Sequence, residues 1–224
     1  MRSFIRNLSP RGEFILVTLV GFGPITILQL LGLIQSRRSG GSSGAEMSNA
    51  GLVAGVIGEL TILAAVLGIG KLRGWSLATF GSRISWRGAG VGILLFVVTF
   101  VTMSGVGLLL QILHPEQTSY SVAGISLPVI LLFSLINPIL EEVLEAGYFI
   151  YSLKGFGMWP AVLSSALIRA LFHWWQGING LLPIFSMGLI FGLAYWRWRQ
   201  LWPLVIAHAF TILYAAFYWN RHAA

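Results

Sequence analysis

The sequence lacks cysteine and aspartate altogether, and only 9% of its 224 residues are charged. The absence of cysteine excludes a disulfide-stapled scaffold, a thiolate metal site and a cysteine nucleophile. Soluble domains carry charge on roughly a quarter of their residues, so the low charge excludes an ordinary soluble domain. A disordered chain needs low hydrophobicity and high charge, and this sequence has the opposite combination.

Apolar residues are abundant, since 56% of the chain is hydrophobic and the mean hydropathy is +0.82. This composition is typical of an integral membrane protein. The net charge is +7, but the basic residues lie between apolar runs rather than on one solvated face. Such flanking positions favour contact with anionic lipid headgroups and argue against nucleic-acid binding.

Runs of about 20 mainly apolar residues are long enough to cross the bilayer as helices. Seven such runs predict an all-α, polytopic transmembrane helix bundle of about seven spans (six to eight), forming a single integral membrane domain over residues 1–224. The first run is longer than the apolar region of a signal peptide, so we expect a retained anchor. The apolar stretch 177–183 leaves a re-entrant segment open. The runs are 14–34, 51–70, 88–113, 126–153, 159–175, 181–198 and 201–219.

The distribution of lysine and arginine predicts which side of the membrane each loop faces. With a cytoplasmic N-terminus, ten basic residues face the cytoplasm and three face the other side, so this orientation is favoured. The ten are Arg2, Arg6, Arg11, Lys71, Arg73, Arg83, Arg87, Lys154, Arg197 and Arg199, and the three are Arg37, Arg38 and Arg221. We therefore expect a multi-pass protein of the cell membrane with its N-terminus in the cytoplasm.

Three of the seven acidic residues, Glu141, Glu142 and Glu145, fall within five residues inside the fourth apolar run. At 100° per residue they occupy one side of a helix, with Asn137 one turn before Glu141 on the same face. Each ionised carboxylate near the bilayer centre costs on the order of 2.5 to 3.5 kcal/mol. Clustered intramembrane carboxylates therefore indicate function rather than helix packing alone.

Partners for these carboxylates occur in the fifth run, where Arg169, His173 and Gln176 share one face of a predicted helix. Arg169 is the only basic residue expected to be buried within a predicted span, and we expect it to pair with the glutamates. His208 adds an imidazole at a comparable depth in the seventh run. Glu59, in the second run, is interpreted as a helix-packing or access-path residue rather than a site residue.

Several kinds of site are excluded by spacing, because the chain has no H-E-x-x-H helix, G-x-S-x-G elbow or P-loop. Glycines between 88 and 107 indicate close helix packing. What remains is a carboxylate and a histidine that activate water to attack an amide. The other titratable residues, Glu13, Glu46, Glu116, His114 and His222, are expected on a solvated surface.

Four segments resemble the CPBP (CAAX prenyl protease and bacteriocin-processing, or Abi) family of intramembrane proteases. Residues 137–148 read NPILEEVLEAGY and are similar to its double-glutamate motif, while 169–177 read RALFHWWQG and are similar to its second, histidine motif. Residues 202–209, WPLVIAHA, look like its late histidine motif. Residues 72–81, LRGWSLATFG, are similar to the loop before its core.

The resemblance implies an all-helical catalytic core, here over 126–219, that hydrolyses a peptide bond. Glu141 would be the base, Glu142 its neighbour, His173 the second activating group and His208 an oxyanion stabiliser. Asn137, Glu145, Arg169 and Gln176 would support them. Members have been described both as metalloproteases and as glutamate proteases, so the cofactor is either none or a divalent metal such as zinc, held by Glu141, His173 and His208.

Three positions depart from the family pattern. Ala146 stands where the family has arginine, and Arg169 stands where it has phenylalanine, so a guanidinium has moved to the facing helix. Ile212 stands where an asparagine or aspartate usually follows the late histidine, which removes one oxyanion donor. Such a loss costs about 2.7 to 4 kcal/mol of transition-state stabilisation.

These observations predict a CAAX-protease-like intramembrane endopeptidase, a hydrolase that cleaves a membrane-associated peptide or protein, or a lipid-anchored C-terminus presented at the cytoplasmic side. A catalytically weakened member that acts as an immunity factor or scaffold is the alternative, based on Ala146 and Ile212. A small transporter or proton relay is a third reading, but the chain lacks a detectable inverted repeat.

Overall fold

A computed structural model describes residues 2–38, 48–113 and 124–222 of the chain, and all regular secondary structure in this part is helical. The predicted all-α fold class is thereby confirmed. The α-helices are α1 Arg2–Arg6, α2 Pro10–Arg38, α3 Asn49–Arg73, α4 Trp86–Leu113, α5 Leu127–Glu141, α6 Ile150–Leu153, α7 Met158–Phe172, α8 Gly177–Trp198 and α9 Trp202–His222.

Each of the seven predicted runs corresponds to a helix. In the described residues, five helices are long and apolar enough to cross a membrane, and Met158–Phe172 and Trp202–Tyr218 are shorter apolar helices. The stretch 177–183 forms the first turns of α8, which then continues to Trp198. Residues 39–47, Glu46, His114 and Glu116 lie outside the described part, as does the side chain of His222.

The helices pack in a defined order. α7 lies against α8, α4 against both α8 and α9, and α5 between α3 and α9, while α2 packs on α3. Small residues permit the closest approaches: a Cβ atom on Gly188 of α8 would lie 2.7 Å from the Cα atom of Ala166. In α4, Gly92 meets α9 in the same way, whereas a Cβ on Gly105 or Gly107 would meet open space. The expectation of close packing holds for part of the glycine-rich stretch only.

Glu13 joins three elements at the end of the bundle where most basic residues lie. Its carboxylate accepts hydrogen bonds from Arg73 Nε, from Trp75 Nε1 at 3.0 Å and from the Tyr148 hydroxyl at 3.4 Å. The expectation of a solvated surface residue is wrong for Glu13, because α2 packs beside the end of α3 and so places these donors around it.

The long helix that begins at Leu127 changes its winding in the middle. α5 ends at Glu141, a π-helical segment follows over Glu142–Phe149, and α6 completes the element. Every residue of the π-helical segment is buried. Widened turns of this kind occur frequently at functional sites, and this one contains two of the three clustered glutamates.

Candidate active site

The three clustered glutamates have different environments. Glu141, the last residue of α5, lines an internal cavity, and its side chain is 14% exposed. Glu142 and Glu145, in the π-helical segment, are 0% exposed. The structure thus separates one cavity-facing carboxylate from two that lie wholly inside the protein.

Arg169 of α7 holds the two buried carboxylates. Its Nη2 atom donates to both oxygens of Glu142, at 2.8 and 2.9 Å, and its Nε atom lies 2.8 Å from Oε2 of Glu145. Glu141 Oε2 is 3.8 Å from Arg169 Nη1, at the edge of the ion cluster. The guanidinium therefore lies among all three glutamates.

His208 of α9 connects the buried cluster with the cavity-facing carboxylate. Its Nδ1 atom is 2.8 Å from Glu142 Oε1, and its Nε2 atom is 3.9 Å from Glu141 Oε2. Because an ionised carboxylate only accepts hydrogen bonds, Nδ1 carries a hydrogen. This contact orients the imidazole so that its second nitrogen is directed toward the Glu141 side of the site.

His173 lies just after the last residue of α7 and lines the same cavity. Its Nδ1 atom is 2.9 Å from the Arg169 carbonyl oxygen. A carbonyl only accepts, so Nδ1 donates, and Nε2 of the neutral ring is an acceptor. Gln176 also lines the cavity, but α7 ends at Phe172. The single helical face predicted for Arg169, His173 and Gln176 is therefore interrupted by a turn.

Gln29 of α2 supports this turn and was not identified from the sequence. Its Nε2 atom donates to the Phe172 carbonyl at 3.1 Å, and its Oε1 atom accepts from Trp174 Nε1 at 3.2 Å. The two bonds hold the residues on both sides of His173. An amide in the first apolar run, where polar side chains are costly, is the signal that would have pointed to it.

Asn137 bridges two carboxylates. Its Nδ2 atom donates to Glu141 Oε1 and to Glu59 Oε1, each at 2.9 Å. Asn137 thus lies where the sequence placed it, one turn before Glu141. Glu59, which was interpreted as a packing or access-path residue, lies beside the site and lines its cavity.

The cavity measures about 440 Å³ and is mainly apolar. It extends from Glu141 toward the end of the bundle where α3, α5 and α8 begin. Ten basic residues lie at the opposite end. The polar residues on its wall are Gln29, Glu59, Asn137, Glu141, His173, Gln176, Asn179, His208 and Thr211.

A metal site formed by Glu141, His173 and His208 does not fit this geometry. Among the described residues, no group of three His or Glu side chains has an arrangement that could hold one metal ion.

The remaining departures from the family pattern also lie at the site. Ile212 lines the cavity one turn after His208. The neighbouring Thr211 hydroxyl donates to the Ala207 carbonyl at 2.9 Å, so its hydrogen is used within α9. The position where the family has an amide donor is apolar here.

Comparison with known proteins supports the resemblance that the motifs indicated. Residues 123–214 match a family model described as type II CAAX prenyl endopeptidase Rce1-like. The match includes Glu141, His173 and His208 and confirms the suspected resemblance over this part of the chain. No curated protein and no solved structure matches the chain.

Proposed function

Because residues 123–214 match the family model for Rce1-like type II CAAX prenyl endopeptidases, we propose that the protein is an intramembrane endopeptidase. The family is a protease family, and the apolar helices make the chain a multi-pass membrane protein. One observation carries the proposal: Glu141 and His173 line one cavity, while Arg169 forms ion pairs with the two buried glutamates behind them.

In the proposed reaction, a water molecule lies between Glu141 and Nε2 of His173, both of which are acceptors. Glu141 takes a proton from the water as its oxygen attacks the carbonyl carbon of the peptide bond. The C–N bond then breaks, and the leaving amine receives the proton from Glu141. General base catalysis of this kind contributes about 100- to 10,000-fold to the rate.

His208 is the proposed donor to the oxyanion. Its Nδ1–H group is bonded to Glu142, so it must carry a second hydrogen on Nε2 to donate to the developing negative charge. Glu142 therefore orients the donor rather than touching the substrate, and Asn137 does the same for Glu141.

The experiment uses the full chain in nanodiscs with a peptide library. Glu141→Gln and His173→Ala should each lower the cleavage rate of any peptide that the wild type cleaves by at least about 100-fold. Arg197→Ala, at an exposed position, is the control. Cleavage at the wild-type rate by either site variant would refute the proposal.

A second candidate is a catalytically weakened member that binds a membrane partner as an immunity factor or scaffold. The apolar Ile212 on the cavity wall favours it, because it removes a donor at the family's oxyanion position. Under this alternative, partner binding or protection survives Glu141→Gln, and no peptide of the library is cleaved by the wild type.

A further inference from the structure

Glu59 is a buried carboxylate to which the proposed reaction assigns no role. It lies in α3, is 7% exposed and faces the same cavity as Glu141. Its Oε1 atom accepts the Asn137 hydrogen bond at 2.9 Å. Within residues 2–38, 48–113 and 124–222, no donor forms a hydrogen bond with its Oε2 atom.

No lysine or arginine of the described residues lines the cavity that Glu59 faces. Arg169 is already held by Glu142 and Glu145. The cavity wall is mainly apolar and includes Leu52, Met103 and Ile130. An ionised carboxylate with such surroundings is strongly stabilised by a positive charge that enters the cavity.

The distance from Glu59 to the proposed base is short. Both carboxylates lie 2.9 Å from the same Asn137 Nδ2 atom, so Glu59 Oε1 and Glu141 Oε1 are separated by at most twice that distance. An extended peptide advances about 3.3 to 3.6 Å per residue. A substrate group that contacts Glu59 therefore belongs to a residue next to the cleaved bond or one further along.

We propose that Glu59 is a specificity-determining residue that binds a basic group of the substrate, a lysine or arginine side chain, within two residues of the cleaved bond. This inference rests on the proposed function and specifies its substrate class. The cation forms a charge-assisted hydrogen bond with the Glu59 carboxylate, which Asn137 holds in place through Oε1. The rest of the substrate contacts the apolar wall.

The test compares peptides that differ at one position. A peptide that the wild type cleaves is prepared with lysine, norleucine or glutamate at each of the two residues on either side of the cleaved bond. At one position, kcat/KM should be at least about tenfold higher with lysine than with norleucine, mainly because KM is lower. A hydrogen bond to a charged group contributes enough binding free energy for a change of this size. Glutamate at that position should be the poorest substrate.

Glu59→Gln keeps the shape of the side chain and removes its charge. The ratio of kcat/KM for the lysine and norleucine peptides should fall to near one in this variant, and the ratio cancels any general loss of activity. Thr61→Ala, an exposed change on the same helix, should keep the wild-type ratio. No lysine preference in the wild type, or the same preference in Glu59→Gln, would overturn the inference.

Binding measurements separate this inference from the proposed function. Fluorescence anisotropy of the same labelled peptides on nanodisc-bound protein should show the lysine preference in Kd, and Glu59→Gln should remove it. If no peptide is cleaved but the Kd ratio behaves in this way, only the proposed reaction fails. If peptides are cleaved and Glu59→Gln leaves both ratios unchanged, only the role of Glu59 fails.

Discussion

Arg169 is the side chain on which the buried part of the site depends. It is 1% exposed, and its guanidinium contacts Glu142 and Glu145 at 2.8 Å. Removing one partner of a buried ion pair leaves an uncompensated charge in a medium of low dielectric constant, which is more costly than losing the pair altogether. The structural role of Arg169 is therefore separable from any role in catalysis.

Arg169→Ala should lower the free energy of unfolding by about 3 to 5 kcal/mol, because Glu142 and Glu145 lose their cation. Thermal denaturation in detergent would measure this, with Arg197→Ala as the matched control at an exposed position. A triple variant, Glu142→Gln, Glu145→Gln and Arg169→Met, should recover most of the stability because no charge is left unpaired. Wild-type stability of the single variant would contradict the argument.

Ile212 offers a gain-of-function experiment at the same scale. Ile212→Asn places an amide on the cavity wall one turn after His208. If the site works as proposed, kcat should rise by about tenfold or more, since an oxyanion donor is worth about 2.7 to 4 kcal/mol. Ile212→Leu is the control for shape, and steady-state cleavage of the best library peptide is the measurement. An unchanged kcat would indicate that no donor is missing.

At the scale of single residues, the sequence alone identified the motif residues but missed some of the residues that hold them in place. Glu141, Glu142, Glu145, Arg169 and His208 come together because intramembrane charges need partners. Glu59 and Gln29 belong to helices far away in the sequence from the motifs, so only packing reveals that they touch the site.

Two breaks in helical winding shape the site at the scale of elements. The π-helical segment over Glu142–Phe149 buries Glu142 and Glu145 together, although the sequence analysis counted a regular 100° per residue. The end of α7 at Phe172 turns His173 into the cavity. Neither break follows from hydropathy, and the turn after α7 is held by the tertiary contacts of Gln29.

The contact between α7 and α8 positions both Arg169 and His173. Gly188→Val should drive α8 away from the backbone of Ala166 and lower stability by about 1 to 3 kcal/mol through overpacking, together with activity. Gly105→Val in α4 has open space and is the control. Thermal denaturation and peptide cleavage would be measured on both variants. A Gly188→Val protein as stable and active as the control would show that the two helices can separate freely.

At the scale of the whole molecule, the cavity is not confined to the predicted catalytic core over 126–219. Ile25 and Gln29 of α2 and Glu59 of α3 also line it. We therefore propose that the first two long helices belong to the functional unit, in agreement with a single integral membrane domain. A chain shortened to the core would lack the contacts that hold the turn at His173.

Membrane orientation can be tested directly because the chain has no cysteine. Ile84 is 75% exposed at the basic end, and Ser126 is exposed at the other end. With the N-terminus in the cytoplasm, a membrane-impermeant thiol reagent added to intact cells should label Ser126→Cys and leave Ile84→Cys unlabelled until the cells are opened. The reverse pattern would refute the predicted orientation.

The same experiment bears on how substrate reaches the site. The cavity extends toward the end of the bundle opposite to the ten basic residues. With the predicted orientation this is the half away from the cytoplasm. A substrate presented at the cytoplasmic side, as first expected, would then have to pass Glu141 to fill the cavity, so entry from the other leaflet agrees better with the geometry.

Hydropathy and the cost of charge in lipid suffice to predict the membrane fold, the seven apolar helices and the cluster of three glutamates with its arginine. Both arguments are local or depend on composition, so they need no knowledge of helix contacts. Three features depend on packing instead. They are the different environments of the three glutamates, the positions of Glu59 and Gln29 on the cavity wall, and the absence of a three-ligand metal geometry among the described residues. Which side chains face one cavity is set by how distant helices meet, and hydrophobic periodicity contains no information about that.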